Sequence, residues 1–253
     1  MLTHPILEKL TAMRLQGMAR ALSEQLQQPD IDELGFEERL GLLIDVEATD
    51  RENSRLKTRL RKAKLRQTSC MEDIDYRRSR GLDRSVMLSL ANCDWIKSHN
   101  NTIIVGPTGT GKTYLSCALA HKACLNGFSA YYVRLPRLLQ ELSVAKGDGR
   151  YAKLMNALAK TNVLILDDWG LCALNDDQRR DLLEVLDDRH DKQSTIVTSQ
   201  LPVKMWHESI GDNTLADAIL DRLIHNAYRL ELKGESMRKV RSSEKQQKRK
   251  ESG

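Results

Sequence analysis

Thr102-Ile103-Ile104-Val105-Gly106-Pro107-Thr108-Gly109-Thr110-Gly111-Lys112-Thr113 is the stretch that decides the fold. Its first four residues form an apolar, largely β-branched run, the pattern of a buried strand. Gly106 to Thr113 fit Gly-x-x-x-x-Gly-Lys-Ser/Thr, and Tyr114-Leu115-Ser116-Cys117-Ala118-Leu119-Ala120 reads as the helix after it. The glycines let the backbone curl so that successive N–H groups face phosphate oxygens, and the helix adds its positive amino end. Gly106, Pro107, Thr108, Gly109, Thr110, Gly111, Lys112 and Thr113 are therefore the expected phosphate-binding residues. Lys112 is expected to bridge the β- and γ-phosphates, and the Thr113 hydroxyl to ligate Mg2+. A chance glycine-rich turn would lack the strand before it and the helix after it.

Downstream, short apolar runs alternate with helical stretches. The runs are Thr102–Val105, Ala130–Val133, Val163–Leu166, Thr195–Thr198 and Tyr228–Leu232. Helices are expected to begin near Lys112, Leu135, Tyr151, Asp176, Val203 and Thr214, with Gly127 and Gly211 fitting helix ends. This alternation marks an α/β domain with a parallel sheet flanked by helices. Val163-Leu164-Ile165-Leu166 ends in Asp167-Asp168. Asp167 is expected to hold Mg2+ through its water shell, and Asp168 to orient and activate the attacking water. Paired carboxylates favour hydrolysis of the nucleotide over transfer to a small acceptor. The next strand ends in Thr198-Ser199-Gln200-Leu201-Pro202, where a polar side chain can sit between the two preceding motifs and sense the γ-phosphate. Ser199 is the expected sensor, with Thr198 and Gln200 as neighbouring alternatives.

Upstream, Leu7, Leu10, Leu15, Met18, Leu22 and Leu26 recur at an approximately helical spacing, closed by Pro29-Asp30. A second helix is expected from about Phe36, with Leu40, Leu43 and Ile44 on one side and Leu56 and Leu60 continuing the spacing. The reading divides the chain into a helical module at 1–68, a linker and lead-in helix at 69–100, an ATPase core at 101–235 and a basic, flexible tail at 236–253.

The 253 residues carry 40 Lys plus Arg against 35 Asp plus Glu, a net charge of +5. Mean hydropathy is −0.50, and no apolar run approaches the ~20 residues a membrane helix needs. No basic region with an apolar stretch after it opens the chain, so no secretory signal is expected. Five scattered cysteines (Cys70, Cys93, Cys117, Cys124, Cys172) form no Cys-x-x-Cys pair, which supports neither a disulfide framework nor structural zinc and favours a reducing cytoplasm. The charge is unevenly placed. Residues 51–66 sum to +7 and residues 238–250 to +6, leaving −8 elsewhere. Two such blocks point to a polyanionic partner.

The phosphate loop, Leu166-Asp167-Asp168-Trp169-Gly170 and Thr198-Ser199-Gln200-Leu201-Pro202 together resemble AAA+ ATPases of the DnaA/DnaC branch. Ala218-Ile219-Leu220-Asp221-Arg222-Leu223 and Leu232-Lys233-Gly234-Glu235-Ser236-Met237-Arg238 narrow the likeness to the IstB-like ATP-binding proteins of insertion sequences. The likeness spans essentially the whole chain. It implies ATP and Mg2+ as cofactors and binding of ATP between neighbouring copies. It places Arg222 as the arginine finger that reaches an adjacent subunit's γ-phosphate, and Arg238 as a second sensor arginine. It also implies duplex DNA, a transposase and further copies of the same chain as partners, with no membrane. A DnaC-type replicative helicase loader is the alternative reading. One departure is that the general AAA+ pattern has Glu at the position of Asp168. The side chain is shorter by one methylene, so slow hydrolysis is expected.

For DNA, the block Arg51, Arg55, Lys57, Arg59, Arg61, Lys62, Lys64 and Arg66 has too few acidic neighbours for a salt-bridged helix face. Arg134, Arg137, Lys146 and Arg150, with Lys153, form a second candidate, in the place where the DnaA/DnaC branch carries a helical insertion on its DNA-facing side. Both would carry affinity without reading sequence. Few aromatics interleave with these blocks, which favours duplex backbone over a stacking platform for single strands.

Overall fold

The computed structural model describes residues 3–77, 80–234 and 236–237. Thr3–Ala12 (α1) and Gln16–Gln25 (α2) are separate helices, where the leucine spacing alone suggested one. The break is at Arg14, which adopts a left-handed backbone (φ 61). The amino end of α2 is then fixed by an acid from the next helix, Phe36–Ala63 (α3): Gly17 and Met18 N–H donate to Glu47 Oε2 at 2.8 and 3.2 Å. This satisfies two of the open amides at the helix start. Gly17 has to be glycine because a Cβ would lie 2.8 Å from Glu47 Cα.

The chain forms two compact units, divided within α3 between Thr58 and Arg59. Residues 59–66, read from the sequence as part of a helical module reaching to 68, therefore pack in the second unit. Arg59 Nε donates to Cys124 O at 2.9 Å, and Ala63 is fully buried.

In the second unit, Arg84–Ala91 (α4) and the short Asp94–Lys97 (α5) lead into Asn101–Val105 (β1). Next come Lys112–Leu125 (α6), Ala130–Arg134 (β2), Leu135–Asp148 (α7), Tyr151–Lys160 (α8), Val163–Trp169 (β3), Asp176–Arg189 (α9), Ser194–Ser199 (β4), Trp206–Ile210 (α10), Asn213–Ile224 (α11) and Ala227–Glu231 (β5). All described strand pairs are parallel, in the order β2-β3-β4-β1-β5. The α/β architecture and every expected strand are present. The strand boundaries differ by a few residues, most at β3, which runs on through Trp169.

β1 is buried at every position, as a central parallel strand must be. Helix α6 is buried on more than one side, and its small residues Ala118, Ala120 and Ala123 let neighbouring elements pack close around it. Trp95, Trp169 and Trp206 are core residues, and the Trp169 and Trp206 rings meet at 5.0 Å. Arg189, 1% exposed, brackets the amino ends of β3 and β4, donating to the carbonyls of Leu158, Thr161 and Ser194 and to Thr195 Oγ1. These oxygens stand in for water around its charge. The five cysteines form no disulfide, and no helix among the described residues is long and apolar enough to cross a membrane.

The strand order sets where a ligand can sit. From β1 the chain crosses to the far edge, then returns through β3 and β4, so β4 lies between the strand of the phosphate loop and the strand of the paired carboxylates. Ligands in such sheets bind at the carboxyl ends of the strands, where this reversal opens a crevice.

Candidate nucleotide site

At that crevice the three sequence motifs converge. Gly106 N–H donates to Ser199 O at 3.1 Å, joining the start of the phosphate loop to the end of β4. Gly106 (φ 152) must lack a Cβ, which would lie 2.5 Å from Leu232 O. Lys112 Nζ donates to Gly106 O at 2.7 Å and Pro107 O at 2.9 Å, so the ammonium spans the loop. Burial pushes its pKa down, while Asp167 and Asp168 oppose that shift. A phosphate would offer it charged acceptors in place of neutral carbonyls.

Asp167, 1% exposed, is bonded from several sides. Its carboxylate accepts from Thr113 Oγ1 (3.0 and 3.1 Å), from the Tyr132 hydroxyl (2.5 Å) and from Thr198 Oγ1. Arg66 lies 3.5 Å from its Oδ2. Burial and the adjacent Asp167 carboxylate both push the Tyr132 phenol up, so it stays protonated and donates. A carboxylate beside a hydroxyl, both with oxygen donors, fits Mg2+.

Asp168 points elsewhere, for a backbone reason. Pairing between β3 and β4 slips between Leu166 and Trp169, and Asp168 takes a left-handed conformation (φ 64). One extra residue in a strand kinks it and re-aims the side chain. Aspartate tolerates this region better than most residues. The carboxylate emerges into the cavity, and Arg134 Nε donates to its Oδ2 at 2.7 Å.

The end of β4 does not place its polar groups as the sequence reading expected. The Ser199 hydroxyl donates to Trp169 O (2.8 Å) and accepts from Leu201 N–H (3.0 Å), closing the β3–β4 junction. Thr198 is engaged with Asp167. Gln200 is the side chain that reaches the phosphate loop, its Oε1 accepting from Thr108 Oγ1 at 2.7 Å. The alternation of a strand turns Ser199 into the core, and the turn after it exposes Gln200.

A cavity of about 340 Å3 lies over these groups. Its wall includes Lys112, Thr113, Asp168 and Gln200, together with Arg66 and Arg80 from the preceding segment. Arg80, 6% exposed, donates to Thr110 O at 3.0 Å and Asp75 O at 3.2 Å, propping the phosphate loop from behind. Met237 N–H donates to Gly109 O at 2.9 Å, so the start of the expected flexible tail lies against the loop. Arg238, expected as a second sensor, lies outside the described residues, as does the remainder of that tail.

Arg222 is elsewhere. Its carbonyl accepts from Asn101 Nδ2 at 2.9 Å, at the amino end of β1, while the phosphate loop leaves the carboxyl end. Its guanidinium donates to Asp187 Oδ1 (2.6 Å) and Ala218 O (2.8 Å).

The basic clusters are also redistributed. Arg51 pairs with Glu47 at 2.6 Å, and Arg55 lies 3.9 Å from Glu52. Arg59 bonds Cys124 O, Lys64 Nζ lies 5.3 Å over the Tyr131 ring, and Arg66 turns to Asp167. Lys57, Arg61 and Lys62 are exposed and have no ion pair among the described residues. In the second cluster each candidate has an acid: Arg134 with Asp168, Arg137 with Glu141, Lys146 with Asp181, and Arg150 with Asp148. Arg134, Arg137, Arg150 and Lys153 nevertheless rim an open groove of about 860 Å3 between α7 and α8.

A family model described as IstB-like ATP binding protein matches residues 8–245. The chain belongs to the IstB-like family. A Sinorhizobium fredii relative, named for ATP binding within an insertion sequence, is 53% identical over 239 residues, covering 94% of this chain and 98% of its own length. A Pseudomonas aeruginosa relative, named for ATP binding in insertion sequence IS21, is 33% identical over 235 residues, covering 93% of this chain and 89% of its own. Among solved structures, DnaI superposes with a TM-score of 0.58 at 24% identity, over 66% of this chain and 92% of that one. That likeness is one of fold. In this IstB-like chain the features that sequence reasoning missed at the site are Arg66, Arg80, Tyr132 and the pairing of Arg134 with Asp168. None lies in a motif, and each is brought in by a contact distant in sequence.

Proposed function

We propose that this IstB-like chain is an ATP-hydrolysing switch that assembles with further copies of itself on duplex DNA in its ATP state and assists a transposase. The observation that carries the reading is the separation of one reaction's groups between two ends of the sheet. Lys112, Thr113, Asp167, Asp168 and Gln200 lie at the carboxyl end, and Arg222 at the amino end beside Asn101. Five residues of β1 span roughly 16 Å, beyond the reach of one side chain. Taken as the arginine finger that the resemblance implies, Arg222 would serve a neighbouring copy's phosphates and give up Asp187 to do so.

Lys112 and the loop amides bind the phosphates. Thr113 and Asp167 would hold Mg2+, which when bound neutralises and orients the phosphate oxygens. Asp168 orients the attacking water and accepts its hydrogen bond. Gln200, its Oε1 already on Thr108, presents its amide nitrogen to the terminal phosphate. Hydrolysis ends the neighbour's hold through Arg222 and releases the assembly.

Arg134 restrains Asp168 at 2.7 Å and also rims the α7–α8 groove. An anion in the groove competes for Arg134 and frees the carboxylate. Arg134→Ala is expected to raise DNA-independent phosphate release by about 3- to 10-fold, a modest share of what a positioned base contributes. A fall in release would instead make Arg134 a group that positions Asp168.

For DNA, the outward Lys57, Arg61 and Lys62 are the best placed of the first block, and copies in one assembly multiply weak phosphate contacts. The test is binding to duplex and single-stranded DNA of equal length at fixed salt, by anisotropy and sedimentation, with ATP and Mg2+, with ADP, and without nucleotide. Large ATP-dependent complexes on duplex are expected. Preference for single strands would move the reading to a DnaC-type helicase loader, and indifference to nucleotide would overturn the switch.

A further inference from the structure

Arg66 closes the basic block of residues 51–66, but its surroundings are those of the nucleotide site. Helix α3 ends at the buried Ala63, and Lys64 turns the chain through a left-handed conformation (φ 49). The backbone of Arg66 and Gln67 then lies against Cys117 of α6, the helix that begins at Lys112. The guanidinium comes to 3.5 Å from Asp167 Oδ2 and beside the Tyr132 hydroxyl, and its side chain remains 47% exposed in the wall of the cavity.

We propose that Arg66 is a nucleotide-site residue: it holds the Asp167 carboxylate until Mg2+ takes its place, and then binds the phosphates of the nucleotide. This rests on the proposed nucleotide site and deepens it. A buried carboxylate needs a compensating charge, and Arg66 is the cation in contact with Asp167 among the described residues. Thr113 Oγ1, 3.0 Å from Asp167 Oδ1, marks the place for the metal on the same carboxylate. A divalent ion there repels a guanidinium a few ångströms away, and the half-exposed side chain is able to move. The ligand that arrives with the metal provides its new partner. A triphosphate carries more negative charge than one Mg2+ and Lys112 neutralise together. The other arginines of the wall are committed: Arg134 to Asp168, and Arg80 to the carbonyls of Thr110 and Asp75. Guanidinium groups suit phosphate oxygens because their fork of donors engages two at once.

The exchange gives effects of opposite sign, which a structural prop would not. In the full chain, Arg66→Ala is expected to bind Mn2+ several-fold more tightly in the absence of nucleotide, read by electron paramagnetic resonance, because a competing cation is gone. The same variant is expected to bind a fluorescent ATP analogue with Mg2+ about 10-fold more weakly, a loss of about 1.4 kcal/mol, and the ADP analogue less so. Arg66→Lys should fall between. Unchanged affinities, or metal and ATP affinity falling together, overturn the proposal. With Lys112→Ala as the blank, a wild-type chain that fails to bind ATP would reject the underlying site. A wild-type chain that binds while Arg66→Ala matches it rejects Arg66 alone.

Discussion

Lys112→Ala is expected to weaken ATP binding by about two orders of magnitude or more, and with it to abolish ATP-dependent assembly on DNA. Lys112 is the cation whose contacts lie wholly within the phosphate loop, on Gly106 O and Pro107 O. Those carbonyls keep the ammonium poised without tying it to an acid. A hydrogen bond to a charged group is worth about 1.5–3 kcal/mol, and one ammonium can make two to the terminal phosphates. Twofold loss at that strength converts to roughly 10²- to 10⁴-fold. The backbone of the loop should survive, because Thr110 Oγ1 on Pro107 O and Arg80 on Thr110 O hold it independently. Fluorescent-nucleotide titration and thermal unfolding together test this. A variant that is stably folded and still assembles on DNA with ATP would defeat the switch.

Asp168→Asn is expected to separate binding from hydrolysis. ATP affinity should stay within a few-fold, while phosphate release falls about 10²- to 10³-fold, within the range ascribed to a positioned base. Asparagine is the informative replacement because it accepts the left-handed backbone at this position (φ 64), where alanine would add strain. The amide also keeps a partner for Arg134. If hydrolysis drives disassembly, this variant remains on duplex DNA long after the wild type has left, which sedimentation with ATP and Mg2+ reads directly. Wild-type turnover in the variant would move the water-orienting role to another group.

Much of the site is legible in the sequence because its chemistry is local. Gly106 to Thr113 have to be contiguous for their amides to converge on phosphate, and Val163 to Asp168 place an apolar strand and its acids in one run. Strand boundaries came from apolar runs bounded by polar turns. Local pattern misled where a neighbour in space set the outcome. The leucine spacing of residues 7–26 is continuous, yet Glu47 anchors a separate second helix at Gly17 and Met18. Ser199 has the hydroxyl expected of a sensor, but strand alternation turns it onto Trp169 O and leaves Gln200 facing Thr108. Charge density at residues 51–66 suggested one uniform phosphate-binding face. Tertiary packing instead draws Arg59, Lys64 and Arg66 onto the second unit.

By itself, then, the amino-acid sequence determined the α/β class, the phosphate loop, the paired carboxylates and the family likeness, because these depend on side-chain periodicity and on residues adjacent in the chain. The tertiary structure alone decided that β4 separates β1 from β3, that a bulge aims Asp168 at Arg134, that Tyr132 and Arg66 share Asp167, and that Arg222 stands at the opposite end of the sheet. Each of these joins residues tens of positions apart, and such pairings are set by how buried strands and helices pack rather than by any pattern within them.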